Sequence, residues 1–236
     1  MIRVSNLDKS FGKLKALNKV QFTAEKGECI ALLGPNGCGK TTLIKCLLGM
    51  VIPDNGTILI KGESIQGNWE YKKQMGYMPQ IGRYPENMTI EQLFTMVTDL
   101  RKSNTDLDLE LENEFQIKKI QHQLLGQLSG GTRQKISACL AFLFNPDILI
   151  LDEPTAGLDP LSSEILKSKI QKEVNNGKVV LITSHILSEL DDLVSHVMYM
   201  EEGKIHFQKT MEELKTDTGT DRLNKAIAHY LRKQLI

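Results

Sequence analysis

"GPNGCGKTT", residues 34–42, decides how this chain is read: three glycines, a proline and an asparagine stand between the apolar run "ECIALL" (28–33) and the amphipathic pattern "LIKCLLGM" (43–50). The segment satisfies G-x-x-x-x-G-K-[ST] with a strand before it and a helix after it, the context that this motif requires. Glycines let successive backbone N–H groups turn into one concavity, and the helix start adds its positive dipole end. Together they bind di- and triphosphate oxygens. Lys40 supplies a cation for the β- and γ-phosphates, and the Thr41 hydroxyl is placed to ligate Mg²⁺. The nucleotide-binding residues expected here are Gly34, Pro35, Asn36, Gly37, Cys38, Gly39, Lys40, Thr41 and Thr42. The plainer alternative is a glycine-rich turn capping an ordinary helix, and the flanking context weighs against it.

Working outward, "ILILDEP" (148–154) is an apolar strand that ends in two carboxylates. Asp152 is expected to hold the magnesium shell and Glu153 to orient or deprotonate an attacking water. "VVLITSH" (179–185) is a second buried strand, and its end aims His185 at the γ-phosphate, where an imidazole N–H stabilises departing charge. Gln80, closing "GYMPQ" (76–80), is placed to reach the metal or the water. "QLSGGTRQK" (127–135) offers a second Ser-Gly-Gly nest at a helix start, an anion site by the same physics. One nucleotide already has its phosphates wrapped by residues 34–42, so a second nest points to a nucleotide held by a partner.

Length and composition set only bounds. The 236 residues suffice for one large domain or two small ones, with 41% apolar and 25% charged residues. Lysine and arginine total 29, aspartate and glutamate 29, and the formal net charge is zero, which argues against a nucleic-acid backbone as main partner. Cys29, Cys38, Cys46 and Cys139 show neither a CxxC pair nor metal-ligand spacing, so free thiols in a reducing, cytoplasmic compartment are expected. The chain opens without a signal-peptide pattern. Its longest apolar runs, such as "SACLAFLF" (137–144), fall well short of the ~20 residues that span a bilayer. Any membrane role therefore requires a partner.

The pattern of segments gives an α/β fold. Residues 1–33 read as short alternating strands broken at Phe11-Gly12 and Lys26-Gly27, an antiparallel patch leading into a buried strand. "VIPDNGTILIKGESI" (51–65) carries a turn signal and a further strand. From about residue 84 to 140 the period turns helical, starting with Thr89 and Gln92 in capping-box spacing, and this reads as an inserted helical subdomain. The polar stretch 102–114 is expected to be a loop entering a second helix, and residues 163–177 a helix with a glycine stop. Buried strands alternating with helices imply a mostly parallel sheet covered on both faces. The main domain is expected over 1–213. Residues 214–236 are expected to form a linker and an amphipathic helix with Leu223, Ile227, Tyr230 and Leu231 on one stripe.

In this order the motifs resemble the ATP-binding cassette (ABC) ATPase family over essentially the whole chain. "GPNGCGKTT" resembles its Walker A, "YMPQ" its Q-loop, "LSGGTRQ" its signature, "ILILDEP" its Walker B, "TAGLDP" its D-loop and "TSH" its switch histidine. The resemblance implies a P-loop NTPase fold, ATP and Mg²⁺, and Phe11 at the adenine-stacking position. It also implies a head-to-tail dimer with a second copy or a homologous subunit. Ser129, Gly130 and Gly131 would then contact the γ-phosphate across the interface, and Asp159 would couple the two sites. ATP-driven closure would energise integral membrane permease subunits, placing the chain on the inner face of the cell membrane. A soluble ABC ATPase of translation or DNA repair is the alternative; the single cassette, short insert and balanced charge weigh against it. Residues 128–160 also resemble the ATPase of the transporter that supports copper-site maturation of nitrous oxide reductase. Two positions depart from the usual pattern: Thr132 stands where many relatives carry glutamine, and Cys38 replaces a small Ser or Ala. At a helix start, Cys38 is expected to have a lowered pKa and to be reactive.

Overall fold

The computed structural model describes residues 1–101, 107–220 and 222–234, with side chains described as far as Tyr230. In chain order its strands are β1 (Ile2–Phe11), β2 (Leu14–Ala24), β3 (Cys29–Leu33), β4 (Asn55–Ile60), β5 (Glu63–Ser64), β6 (Met75–Met78), β7 (Ile148–Asp152), β8 (Val179–Thr183), β9 (His196–Glu201) and β10 (Lys204–Thr210). The helices are α1 (Lys40–Leu47), α2 (Ile90–Arg101), α3 (Glu110–Glu114), α4 (Gly130–Phe142), α5 (Pro160–Asn175), α6 (Met211–Thr218) and α7 (Leu223–Gln234).

Two sheets result, as the strand patterns imply. β2-β1-β4-β5 is antiparallel, and its first hairpin turns at Gly12, whose φ of 58° suits a residue without Cβ. The larger sheet runs β10-β9-β3-β8-β7-β6, with every pairing from β9 to β6 parallel and β10 antiparallel at the edge. Period-two alternation divides its side chains between two cores. Cys29, Ala31 and Leu33 of β3 face the helical side, while Ile30 and Leu32 face the antiparallel sheet and α1. Both faces are covered, which is why β3 and β8 are buried at every position and apolar throughout except at Thr183.

Helices α2, α3 and α4 lie between β6 and β7, two strands that are neighbours in the sheet. The box at the start of α2 is formed: Thr89 N–H donates to Gln92 Oε1 at 3.0 Å and Gln92 N–H to Thr89 Oγ1 at 3.2 Å. A charged cluster ties this insert to α5. Lys169, only 3% exposed, lies 2.6 Å from Asp108, 2.7 Å from Glu110 and 2.6 Å from Glu173. Three carboxylates could hold a metal, but here an ammonium sits among them. Burial opposes the Lys169 charge, and the three carboxylates overcome that and raise its pKa; Lys169 and Lys172 hold Glu110 below the usual range, and against its burial Lys169 and Lys178 hold Glu173 there too.

One expectation for the C-terminal part needs correction: residues 214–218, expected to begin a linker, continue the helix α6, which starts with a capping box between Thr210 and Glu213. Leu214, with Leu223 and Ile227 of the expected stripe, is buried in the helical-side core, and Tyr230 packs on Phe207 with ring centroids 4.3 Å apart. Leu231, also expected on that stripe, has its side chain outside the described residues, as does the segment 102–106 of the expected loop. Strands β9 and β10 join through Glu202 and Gly203, both at positive φ, as a two-residue hairpin turn requires.

Candidate functional site

Because β3, β6, β7 and β8 are parallel, their C-terminal ends share one edge of the sheet. The loop 34–39 leaves β3 there, Asp152 ends β7, Thr183 ends β8 and Gln80 follows β6. Crevices at such strand ends are where open α/β sheets bind ligands.

The loop's shape is forced by its glycines. Gly34 has φ of 150°, and a Cβ there would lie 1.9 Å from the Met200 carbonyl oxygen; at Gly39, φ 111°, a Cβ would lie 2.4 Å from the Ala16 carbonyl oxygen. No other residue fits either position without moving backbone. Gly37, at φ 80°, has open space around it, and Pro35, Asn36 and Gly37 are exposed. Lys40 curls into the loop, its ammonium donating to the Gly34 carbonyl at 2.8 Å and to the Pro35 carbonyl at 3.1 Å. Thr41 is exposed and Thr42 half-buried in the first turn of α1.

At the neighbouring strand ends a polar cluster forms. The buried Thr183 hydroxyl donates to Asp152 Oδ1, and Glu153 N–H donates to both Thr183 O and Thr183 Oγ1 at 3.1 Å. Glu153 has φ of 51°, a left-handed conformation uncommon outside glycine and asparagine. Its carboxylate reaches His185, with Oε1 to Nε2 at 2.9 Å. The expected catalytic pair is thus in contact. Gln80 is exposed beyond β6, and Phe11 is half exposed at the end of β1 with Lys9 Nζ 5.5 Å from its ring centroid.

The second nest opens α4. Ser129 is its N-cap, accepting from Thr132 N–H at 3.2 Å, and the Ser129 and Thr132 hydroxyls pair at 2.9 Å. Both Ser129 and Gly130 are exposed. Asp159 caps α5, accepting from Ser162 N–H at 2.9 Å and Ser162 Oγ at 2.7 Å, and pairs with Lys135 at 2.8 Å. The Lys135 ammonium first, then the Ser162 donors, hold its carboxyl well below the usual range.

Two residues of this cluster escape sequence reading. Thr183 and Gln134 are polar side chains, 3% and 5% exposed, inside an apolar strand and a helix. A lone polar residue in a continuous apolar run was the only signal for Thr183. The Cys38 expectation is corrected: its thiol is 4% exposed, packed beneath Gly34, so the access that a reactive thiol needs is missing. Among the other cysteines, burial pushes Cys29 up to about 12 and Cys46 up to about 11.

The chemistry of these donors suits a magnesium triphosphate. Asp152, Thr41 and Gln80 offer hard oxygen ligands of the kind Mg²⁺ takes. The loop offers N–H groups and an ammonium that now donates to two carbonyls of its own loop and to the Cys38 thiol at 3.8 Å.

Comparison with known proteins agrees with this geometry. Residues 17–156 match the family described as ABC transporter. The lipopolysaccharide export system ATP-binding protein LptB of Haemophilus influenzae is 34% identical over 231 residues, covering 94% of this chain and 96% of that protein. A solved ATP-binding subunit of an ABC transporter has 26% identity and a TM-score of 0.88, with 98% of each chain covered. A dimeric bacterial ABC transporter cassette shares the fold at 19% identity and a TM-score of 0.78, covering 89% of this chain and 98% of that one.

Proposed function

Because this chain belongs to the ABC transporter family, as a cassette of the ATP-binding kind, we propose that it binds and hydrolyses ATP as a head-to-tail pair and energises transport through separate membrane subunits. The observation that carries the reading is the convergence of the 34–42 loop, Asp152, Glu153 and His185 on one sheet edge, while a second nest at Ser129 lies exposed. Gly34 to Thr42 wrap the phosphates, Lys40 exchanging its loop carbonyls for β- and γ-oxygens. Thr41, Asp152 and Gln80 hold Mg²⁺, which shields phosphate charge when bound. Glu153 orients or deprotonates the attacking water, with His185 holding its carboxylate and facing the γ-phosphate. Phe11 supplies a stacking face for the base. Ser129, Gly130 and Gly131 reach the γ-phosphate of the partner's nucleotide, and Asp159, at the same face, links the two sites.

A membrane partner is supported by an apolar surface outside this edge. Ile52 and Trp69 are 79% and 64% exposed and line a cavity of about 470 Å³ between the end of α1, β4 and β5. Among the described residues no helix is long and apolar enough to cross a membrane. LptB is an export protein by name, and export is the direction we propose. Copper-enzyme maturation is finer than the family match and these relatives support, and no observation favours a role in translation or repair.

Glu153→Gln tests the proposal. ATP binding should persist while phosphate release falls about 100-fold or more, and a nucleotide-bound dimer should accumulate on size-exclusion chromatography. Near-normal turnover would remove Glu153 from the chemistry.

A further inference from the structure

The strand β7 ends at Asp152, so the carbonyls of Glu153 and Pro154 leave the sheet without a ladder partner. Both accept from one side chain, and Glu153 O also accepts from Ala156 N–H at 3.2 Å in the turn that follows. Gln134, 5% exposed on α4, donates its amide from Nε2 to Glu153 O at 3.1 Å and towards Pro154 O at 3.4 Å. On its other side Glu153 is held through its N–H by Thr183. The left-handed φ of Glu153 is therefore gripped at both ends of the residue, by β8 and by α4. Strain of this kind persists only where surroundings over-determine it.

The same helix carries the Ser129 nest. Its first turns are braced to the 153–159 loop at two further points. A Cβ on Gly131 would lie 2.8 Å from Gly157 O, a backbone approach that only glycine allows, and Lys135 pairs with Asp159 at 2.8 Å. Three contacts within five residues make the nest and the Glu153 turn one piece.

We propose that Gln134 is the positioning residue for Glu153, fixing the turn that aims its carboxylate and coupling that aim to whatever the Ser129 nest grips. This rests on the catalytic role given to Glu153 above. Gln134 is buried and acts through the backbone of Glu153. Its amide alone qualifies: methionine keeps the length and burial without the donors, and glutamate would set a carboxylate against two carbonyl oxygens.

The test uses the full chain, alone and with its membrane subunits, with ATP turnover followed by phosphate release. Gln134→Met should lower kcat about 10-fold or more with KM for ATP changed less than twofold, and a thermal melt should show it folded. In a Glu153→Gln background the same change should leave the residual turnover and the ATP-trapped dimer unaltered, because the group it positions is gone. A purely structural role would instead lower dimer trapping and residual turnover in both backgrounds, and that result overturns the proposal, as does an unchanged kcat in Gln134→Met. Should Gln134→Met not fold, Gln134→Asn, with an amide one methylene too short, is read by the same criteria. If Glu153→Gln itself keeps full turnover, the parent reading fails; if only the Gln134 variants do, this inference fails alone.

Discussion

The two glycine-bearing nests look alike in sequence and differ in what demands their glycines. In the 34–39 loop the demand comes from inside: Gly34 and Gly39 lie at positive φ, with Met200 and Ala16 carbonyls where a Cβ would go. At Gly130 the demand is absent. A Cβ there meets nothing within 4 Å, and the residue starts an ordinary helix at a φ that any residue adopts. Among the described residues nothing lies close enough to Gly130 to require a glycine, although Gly131 beside it is required by Gly157 O. The first nest is shaped by its own fold at Gly34 and Gly39, whereas the second is shaped by it at Gly131 and open at Gly130, the position that we propose a partner's nucleotide approaches.

The sharpest way to break that comparison is Gly34→Ala. A methyl 1.9 Å from a backbone carbonyl cannot be relieved by a side chain, so denaturant unfolding should show a loss of about 3 kcal/mol. A loss under about 1 kcal/mol would mean that the loop has another shape. Lys40→Ala comes next. The fold should barely notice, since the two carbonyls that it contacts lie on a largely exposed loop, but ATP affinity by calorimetry should fall roughly 30-fold as a charge-assisted contact is lost. Unchanged affinity would return the loop to a simple helix cap.

Smaller still is Gly130→Ala. Stability should hold or rise by up to about 1 kcal/mol, from helix propensity, while ATP-dependent dimerisation weakens. An alanine that leaves the dimer intact would erase the contrast between the two nests. The least effect is expected from pH on the open nest's brace. The folded pKa of Asp159 lies below its ordinary 3.8, so what the Lys135 pair contributes is present above about that pH and is lost only as pH falls through the lower folded value. Amide signals of residues 129–135 should therefore not titrate between about pH 5 and 8, and a midpoint in that window would contradict the pairing.

How much was legible follows from the range of each interaction. The 34–42 loop, the Thr89–Gln92 box and the strand ending in Asp152-Glu153 are local, set by residues within a few positions of one another. The Thr210–Glu213 box carries the same local signal, S/T-x-x-E, at the end of the expected main domain, and the helix that it starts runs on into the expected linker. Gln134, Thr183 and the burial of Cys38 had no such signal. Each depends on a partner many residues away, Thr183 on Asp152 and Gln134 on Glu153, and no spacing rule encodes those meetings.

By itself the sequence determined the α/β order of elements, the phosphate-binding loop and the identity of the acids at the strand ends, because glycine freedom, apolar period and capping act over one turn or one strand. Only the tertiary structure decided that Glu153 sits left-handed between β8 and α4, that Cys38 is shut in, and that the C-terminal helices complete the core. Those outcomes come from packing and from pairing buried polar groups across the fold, where the partner is chosen by three-dimensional proximity and the penalty for leaving a buried donor or acceptor alone.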